Sequence, residues 1–255
     1  LVISLGGIGS FDGGAGMLQA LGARFYDDEA QIVDMRKGAD LIKYIRRIDL
    51  SGVHPQLAKV NIQLMSDFSS RLYGKKSEIM QTYESLDLSQ NEAAEIDNLI
   101  WYFSELFKNE LKIAMGPIER GGAGGGIAAV LNSLYQAEIL TSHELVNQIT
   151  HLENLIQQAD LIIFGEGLKE EDQILETTTI RIAELTQQYN KPAIAICATN
   201  DKFDLFESLN VTAMFNTFID MPDSYTDFKM GIQIRHYTVQ ALKLLKTQIN
   251  LPLSS

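Results

Sequence analysis

An α/β fold, built on a mostly parallel, Rossmann-like sheet in a three-layer arrangement with helices on both faces, is what this sequence predicts. Short apolar runs such as Leu161-Ile-Ile-Phe164 and Pro192-Ala-Ile-Ala-Ile-Cys197 have the length and composition of strands buried on both sides. Segments with apolar residues at helical spacing alternate with these runs. Two glycine-rich turns, Gly6 to Gly14 and Gly121 to Gly126, each lead into such a helical segment.

In order along the chain, Leu1-Val-Ile-Ser-Leu5 reads as a buried strand, and Met17, Leu18 and Leu21 begin a helix that Gly22 ends. The first backbone N–H groups of a helix have no partner inside it, so the glycine loop between them is a candidate phosphate or carboxylate pocket. The same glycines would equally serve to let a helix pack closely on a strand. Ala23-Arg-Phe-Tyr26 and Gln31-Ile-Val33 flank Asp27-Asp28 as a short hairpin. Leu41, Ile42, Ile45 and Ile48 then recur at helical spacing, with Lys43, Arg46 and Arg47 on a solvated side. Val60, Ile62 and Leu64 alternate as a half-buried strand leading to Asp67. A carboxylate at such a strand end lies where α/β sheets bind ligands, which suits magnesium binding or general-base work, and equally a turn or cap.

Residues 73–88 are weakly patterned and read as a loop. Ser89 and Glu92 make a capping box for a helix whose stripe is Ile96, Leu99, Ile100, Phe103, Leu106 and Phe107. The second glycine run opens a helix carrying Ile127, Val130, Leu131, Leu134 and Tyr135. It fits neither G-x-G-x-x-G nor the G-x-x-x-x-G-K-[ST] loop, which disfavours a dinucleotide fold and an ordinary P-loop. Thr141 and Glu144 cap a helix with the stripe Leu145, Ile149, Leu152 and Ile156. After the strand at 161–164 and the one at 192–197 come a short helix from Asp201 to Leu209, a strand from Val211 to Phe215, and a long terminal helix. In a parallel sheet the carboxyl ends share one edge, so the loops at Gly6–Gly14, Ser66–Ser70, Gly165–Gly167, Ala198–Asp201 and Asn216 are expected to converge on one cleft.

With 255 residues the chain can bury a sizeable core. A formal net charge of -12 argues against nucleic acid or an anionic membrane surface as a partner. The single cysteine, Cys197, rules out an intrachain disulfide and a cysteine-based zinc cluster and suits a reducing cytoplasm. No apolar run reaches the roughly 18 residues that a membrane-spanning helix needs. His54, His143, His151 and His236 show no metal-binding spacing.

The run Asp12-Gly-Gly-Ala-Gly-Met-Leu-Gln-Ala-Leu-Gly-Ala-Arg-Phe25 resembles the G-G-S-A-T-N-D-G-G-A-G-M segment of the glycerate kinase family, bacterial enzymes that phosphorylate D-glycerate with ATP. Ile48-Asp-Leu-Ser-Gly-Val-His-Pro-Gln-Leu57, Gly121-Gly-Ala-Gly-Gly-Gly126 and Phe164-Gly-Glu-Gly167 support the resemblance in the family's order. It implies a Rossmann-like lobe over residues 1–22 and 59–255 and part of a smaller second α/β lobe over 23–58. It also implies transfer of the ATP γ-phosphoryl group to a hydroxyl of D-glycerate, with Mg2+ accompanying ATP. Asp67 and Asp12 become the catalytic candidates, with Asp67 a possible magnesium ligand. Gly6, Gly7, Ser10, Gly13, Gly14, Ser69, Gly122, Ala123, Gly124, Gly125, Gly165, Glu166 and Gly167 become candidates for substrate or phosphate contact.

The chain departs from the family pattern at several polar positions. Ile8, Gly9, Ser10 and Phe11 stand where the family has S-A-T-N, and the residues after Asp67 and Gly167 also differ. No G-P-Q-K-G-like element follows Asp67, and no lysine or arginine is placed by a matching motif. The family's N-terminal region with its Asp-Ser-Phe-Lys-Gly motif has no counterpart, so the chain reads as a fragment or as a protein that has lost that part. The alternative expectation is therefore a divergent member with little or no kinase activity, acting as a small-molecule-binding or interaction protein.

Overall fold

The structure, a computed structural model, describes residues 1–6, 10–166, 178–198, 203–217 and 227–246. It is α/β, and its contacts divide the chain into two compact units, residues 1–145 and 146–255.

The first unit contains β1 (Val2–Ser4), α1 (Ala15–Ala20), β2 (Arg24–Tyr26), β3 (Arg47–Asp49), β4 (Gln63–Met65), α2 (Glu78–Thr82), α3 (Gln90–Leu111), α4 (Ile127–Tyr135), β5 (Glu138–Leu140) and the start of α5 (Ser142–Thr150). Strands β1, β4 and β5 form a parallel sheet in that order, with Ile3, Leu64 and Ile139 in register. β1 is an outer strand of this sheet, and Val2 is 48% exposed, so the fully buried first strand expected from its apolar run is instead an edge. β2 and β3 pair antiparallel, with Phe25 opposite Ile48.

The short hairpin at 23–33 forms, with Tyr26 bridged to Ile32, the Val33 N–H donating to Phe25 O and the Asp27 N–H to Gln31 O, while the longer partner of β2 is β3. Two further local expectations are corrected. Ile42, Ile45 and Ile48 do not share an α-helix. Residues 39–44 form a 3₁₀ turn, Ile45 is extended, and Ile48 lies in β3. All three side chains are nevertheless buried, each carried into the same core by a different local conformation. Residues 73–88 hold more than loop: Ser77 Oγ accepts the Met80 N–H to start α2, and a 3₁₀ turn follows at Tyr83–Leu86.

α3 organises the first core. Its capping box is formed on both sides, the Ser89 N–H donating to Glu92 Oε2 at 2.8 Å and the Glu92 N–H to Ser89 Oγ at 3.3 Å. Its stripe buries Ile100, Phe103 and Phe107 against Phe25, Ile42, Ile45 and Ile48 from the 23–58 segment and Leu18 from α1. Phe25, Phe103 and Phe107 meet edge to face with ring centroids 5.8 and 5.7 Å apart.

The second unit carries α6 (Leu152–Gln158), β6 (Ile162–Glu166), α7 (Thr178–Gln188), β7 (Ala193–Cys197), α8 (Phe203–Ser208), β8 (Ala213–Asn216) and α9 (Asp227–Lys246). The expected single helix from Thr141 to Ile156 is broken at His151, whose left-handed backbone (φ 53) separates α5 from α6 and leaves Ile149 exposed. β6, β7 and β8 are parallel in that order, and every residue of the central β7 is buried. Phe164, Cys197 and Phe206 share one core cluster, where the lone thiol is a small packing residue.

Trp101 is the single tryptophan and rides on α3, so its fluorescence reports the first unit. Phe103→Ala is expected to lower the stability of that unit by about 3–5 kcal/mol. Urea denaturation followed at Trp101 checks this; an unchanged midpoint would remove α3 from its place at the centre of the core.

Candidate functional site

The carboxyl ends of the first sheet lie together because its strands are parallel. The Leu5 N–H donates to Met65 O and the Ser66 N–H to Leu140 O, each at 2.9 Å, so Gly6, Ser66 to Ser70 and Thr141 leave along one edge. Asp67 is exposed there, and its Oδ1 accepts the N–H of Ser142, the first residue of α5, at 2.7 Å. The carboxylate thus stands at the strand end and ties it to a helix start, which realises the turn-or-cap reading. Thr141 and Glu144 form the expected reciprocal cap, with the Thr141 N–H donating to Glu144 Oε2 at 2.8 Å. That hydrogen bond holds the Glu144 carboxyl below its ordinary range.

Beside this edge the two glycine loops meet. The Gly13 N–H donates to Gly125 O at 2.9 Å. A Cβ on Gly126 would lie 2.6 Å from Gly13 Cα, one on Gly14 3.0 Å from Val130 Cγ2, and one on Gly125 would overlap Ser10 O. Gly14 and Gly126 immediately precede α1 and α4, both at positive φ (82° and 105°), and as glycines offer no side-chain cap of their own. Close packing, one of the two readings of these loops, is therefore realised in full. A third strip of chain closes the contact: the Gly122 N–H donates to Ser70 O at 3.3 Å, and a Cβ on Gly122 would overlap Arg71 O.

Carboxylates of the chain itself occupy donors of both loops. Asp12 is buried, and its Oδ1 and Oδ2 accept the N–H groups of Gly14 and Gly16 at 2.9 and 2.8 Å. In the second loop the N–H groups of Gly121, Gly122, Ala123 and Gly126 all go to backbone carbonyls. That of Gly125 goes to the half-buried carboxylate of Glu78 instead, 3.3 Å from Oε2, and the Gly124 amide also stabilises that charge. Burial pushes the Glu78 carboxyl above its ordinary range, and the two amides partly oppose the rise. Ser70 Oγ, in a residue only 1% exposed, has no hydrogen-bond partner, and a Cβ on Gly122 would lie 2.6 Å from it.

The structure thus brings Gly6, Ser10, Asp12, Gly13, Gly14, Asp67, Ser69 and Gly122 to Gly125 into the first unit, with Ser69 exposed beside Asp67. Gly165 and Glu166 belong to the second. There Glu166, Cys197 and Asn216 stand in register across the carboxyl edge of the sheet, and the Thr179 hydroxyl donates to Glu166 Oε2. The five strand ends expected along one edge therefore belong to two sheets. Gly7 and Gly167, with Ile8, Gly9 and the loop 199–202, lie outside the described residues.

Sequence reasoning missed Glu78, although Ser77-Glu78 carries the signal of a helix start, a cap followed by an acid. It also missed Arg71 and Arg120. Each adjoins a site segment, and Arg71 Nη1 donates to Pro117 O at 3.2 Å and Arg120 Nη1 to Ser66 O at 3.4 Å.

Fold and site together define an α/β protein of the kind that holds small ligands at the carboxyl ends of parallel strands. The glycerate kinase family model matches residues 1–234, and the chain belongs to that family. It is 31% identical over 199 residues to a glycerate kinase of Halalkalibacterium halodurans, covering 78% of this chain and 52% of the relative. It is 29% identical over 217 residues to the glycerate 2-kinase of Escherichia coli K12, covering 85% of this chain and 56% of that protein. The crystal structure of a candidate glycerate kinase 2 from Salmonella typhimurium LT2 superposes with a TM-score of 0.75 at 26% identity, covering 97% of this chain and 66% of that one. The chain spans about half the length of the curated relatives it matches.

Two outcomes follow from this geometry. Gly125→Ala, at φ +61 and with no room for a Cβ, should destabilise the first unit by more than about 1 kcal/mol, whereas Gly165→Ala, 3.7 Å from its nearest neighbour, should change stability by less than about 0.5 kcal/mol. Equal thermal midpoints for the two would contradict the interlocked loops. Because the folded state raises the Glu78 carboxyl, its charge is a penalty above the folded pKa that vanishes below the unfolded one. Glu78→Gln should therefore raise the melting temperature at neutral pH and lose that advantage as the pH falls through the carboxylate range; a pH-independent difference would refute this.

Proposed function

We propose that the chain belongs to an ATP-dependent glycerate kinase that transfers the γ-phosphoryl group of ATP to a hydroxyl of D-glycerate. The observation that carries this reading is Asp67, a carboxylate at the end of a parallel strand beside the two joined glycine loops, in a chain that matches the family from residue 1 to 234. The substrate hydroxyl oxygen attacks the γ-phosphorus, its proton passes to a base, and ADP leaves. On this reading Asp67 either takes that proton or holds a magnesium ion. Asp12, with both oxygens on its own loop, positions that loop.

Phosphoryl transfer depends on positioning and on neutralising charge more than on covalent chemistry. Arg71 and Arg120 are cations that adjoin the loops and the strand end. Among the described residues no group of three acidic, histidine or cysteine side chains could hold a metal by itself. That donor set fits an ion that arrives with the nucleotide, with one carboxylate from the protein and the remaining oxygens from phosphates and water. Magnesium would there neutralise phosphate charge. On this reading the partners are ATP and D-glycerate, in a reducing cytoplasm, and no helix among the described residues is long and apolar enough to cross a membrane.

The test is D-glycerate-dependent release of ADP by the full-length protein. Asp67→Asn is expected to lower kcat by about 10²-fold or more with the fold intact by circular dichroism. Recovery at high Mg2+ would assign Asp67 to the metal, and no recovery would assign it to the proton. A variant as active as wild type would take Asp67 out of the chemistry, and absence of turnover in the unaltered full-length protein would overturn the kinase reading.

A further inference from the structure

We infer that Glu78 is a built-in anion for the second glycine loop: its carboxylate occupies the amides of Gly124 and Gly125 in place of a ligand oxyanion and withdraws when that oxyanion binds. The inference rests on the proposed reading that this loop belongs to the ligand site. Of the six N–H groups from Gly121 to Gly126, four are held by backbone carbonyls, that of Gly125 is held by this side chain, and that of Gly124 stabilises the same carboxylate. The loop itself is buried, and Glu78 beside its two remaining donors is half-buried.

A carboxylate on paired backbone amides has the charge and acceptor geometry of a substrate carboxylate or a phosphate oxygen, so Glu78 and such a ligand compete for one place. Glu78 is the first residue of α2, a five-residue helix whose start is held separately by Ser77. The side chain can therefore leave by rotating while its backbone stays. A second observation points to a ligand at the same loop. Ser70 Oγ is buried, lacks any partner and lies against Gly122, which leaves a donor for a further ligand oxygen.

Isothermal titration of the chain and of Glu78→Gln and Glu78→Ala, at one ionic strength, with inorganic phosphate, D-glycerate and ATP as probes, tests this. Removing the competing charge should tighten binding by about tenfold or more, as expected when the binding-competent state is a minor one. A gain for phosphate and ATP together identifies a phosphate oxygen as the natural occupant, and a gain for D-glycerate alone identifies a carboxylate. Affinities within twofold of wild type for all three probes, or no binding of any probe to the variants, would overturn the inference. Should the variants fail to fold, the amide resonances of Gly124 and Gly125 in the unaltered chain decide, because saturating ligand must move them and unmoved resonances refute it. Its failure and that of the kinase reading are distinct. Tighter phosphate binding without any turnover by the full-length protein leaves Glu78 in its role and removes the kinase, while turnover with unmoved affinities does the reverse.

Discussion

The hydrogen bond from the Gly13 N–H to Gly125 O is the contact on which the first unit depends. It holds two backbone segments so close that Gly13, Gly14, Gly125 and Gly126 have no space for a side chain. From that point α1 and α4 diverge, each starting at a left-handed glycine. The approach also sets what lies beneath, since the Phe103 ring stands 2.9 Å from where a Gly13 Cβ would be and Val130 touches Gly14. The aromatic core around α3 and the loops at the strand ends are thus one packing problem, and a side chain added at the loops would be felt in the core.

That arrangement has an electrostatic consequence. The chain carries a formal charge of -12 and already places Asp12 on the first glycine loop and Glu78 on the second. A polyanionic ligand approaching these loops meets negative charge before it meets donors. Arg71 and Arg120 partly answer this, since one contributes the carbonyl that crowds Gly122 and the other immediately precedes Gly121. Their guanidinium groups donate to the carbonyls of Pro117 and Ser66, so both stand along the strip that follows β4.

Much of this was legible in the sequence where one local signal decides the structure. The Ser89 and Glu92 box, the α3 stripe and the apolar run at 193–197 each obey a single rule, and each forms where expected. Reading failed where periods coincide or where tertiary contact overrides them. The spacing of Ile42, Ile45 and Ile48 suggests one helical face, but only Ile42 lies in a 3₁₀ turn, and pairing of β3 with β2 draws Ile48 into a strand. The stripe from Leu145 to Ile156 does not reveal the break at His151, because a left-handed residue leaves no mark on apolar spacing. Asp12 and Asp67 were legible as carboxylates near the site. Their hydrogen bonds were not, because which amide a carboxylate meets depends on loops distant in sequence, as with Asp67 and Ser142.

A cradle with no side-chain freedom and one movable carboxylate also selects its ligands. Withdrawal of Glu78 leaves two buried N–H groups without acceptors, and each such group costs about 1–3 kcal/mol. A ligand that offers only apolar surface or a donor cannot return that energy, so for such a ligand the closed arrangement remains the stable one. A ligand bearing a carboxylate or phosphate restores both hydrogen bonds as it displaces the glutamate, and the exchange is nearly balanced before any other contact forms. Discrimination then lies in what the incoming molecule adds beyond the oxyanion. The unpartnered hydroxyl of Ser70 beside Gly122 is placed to reward a ligand that brings a further oxygen to the same loop.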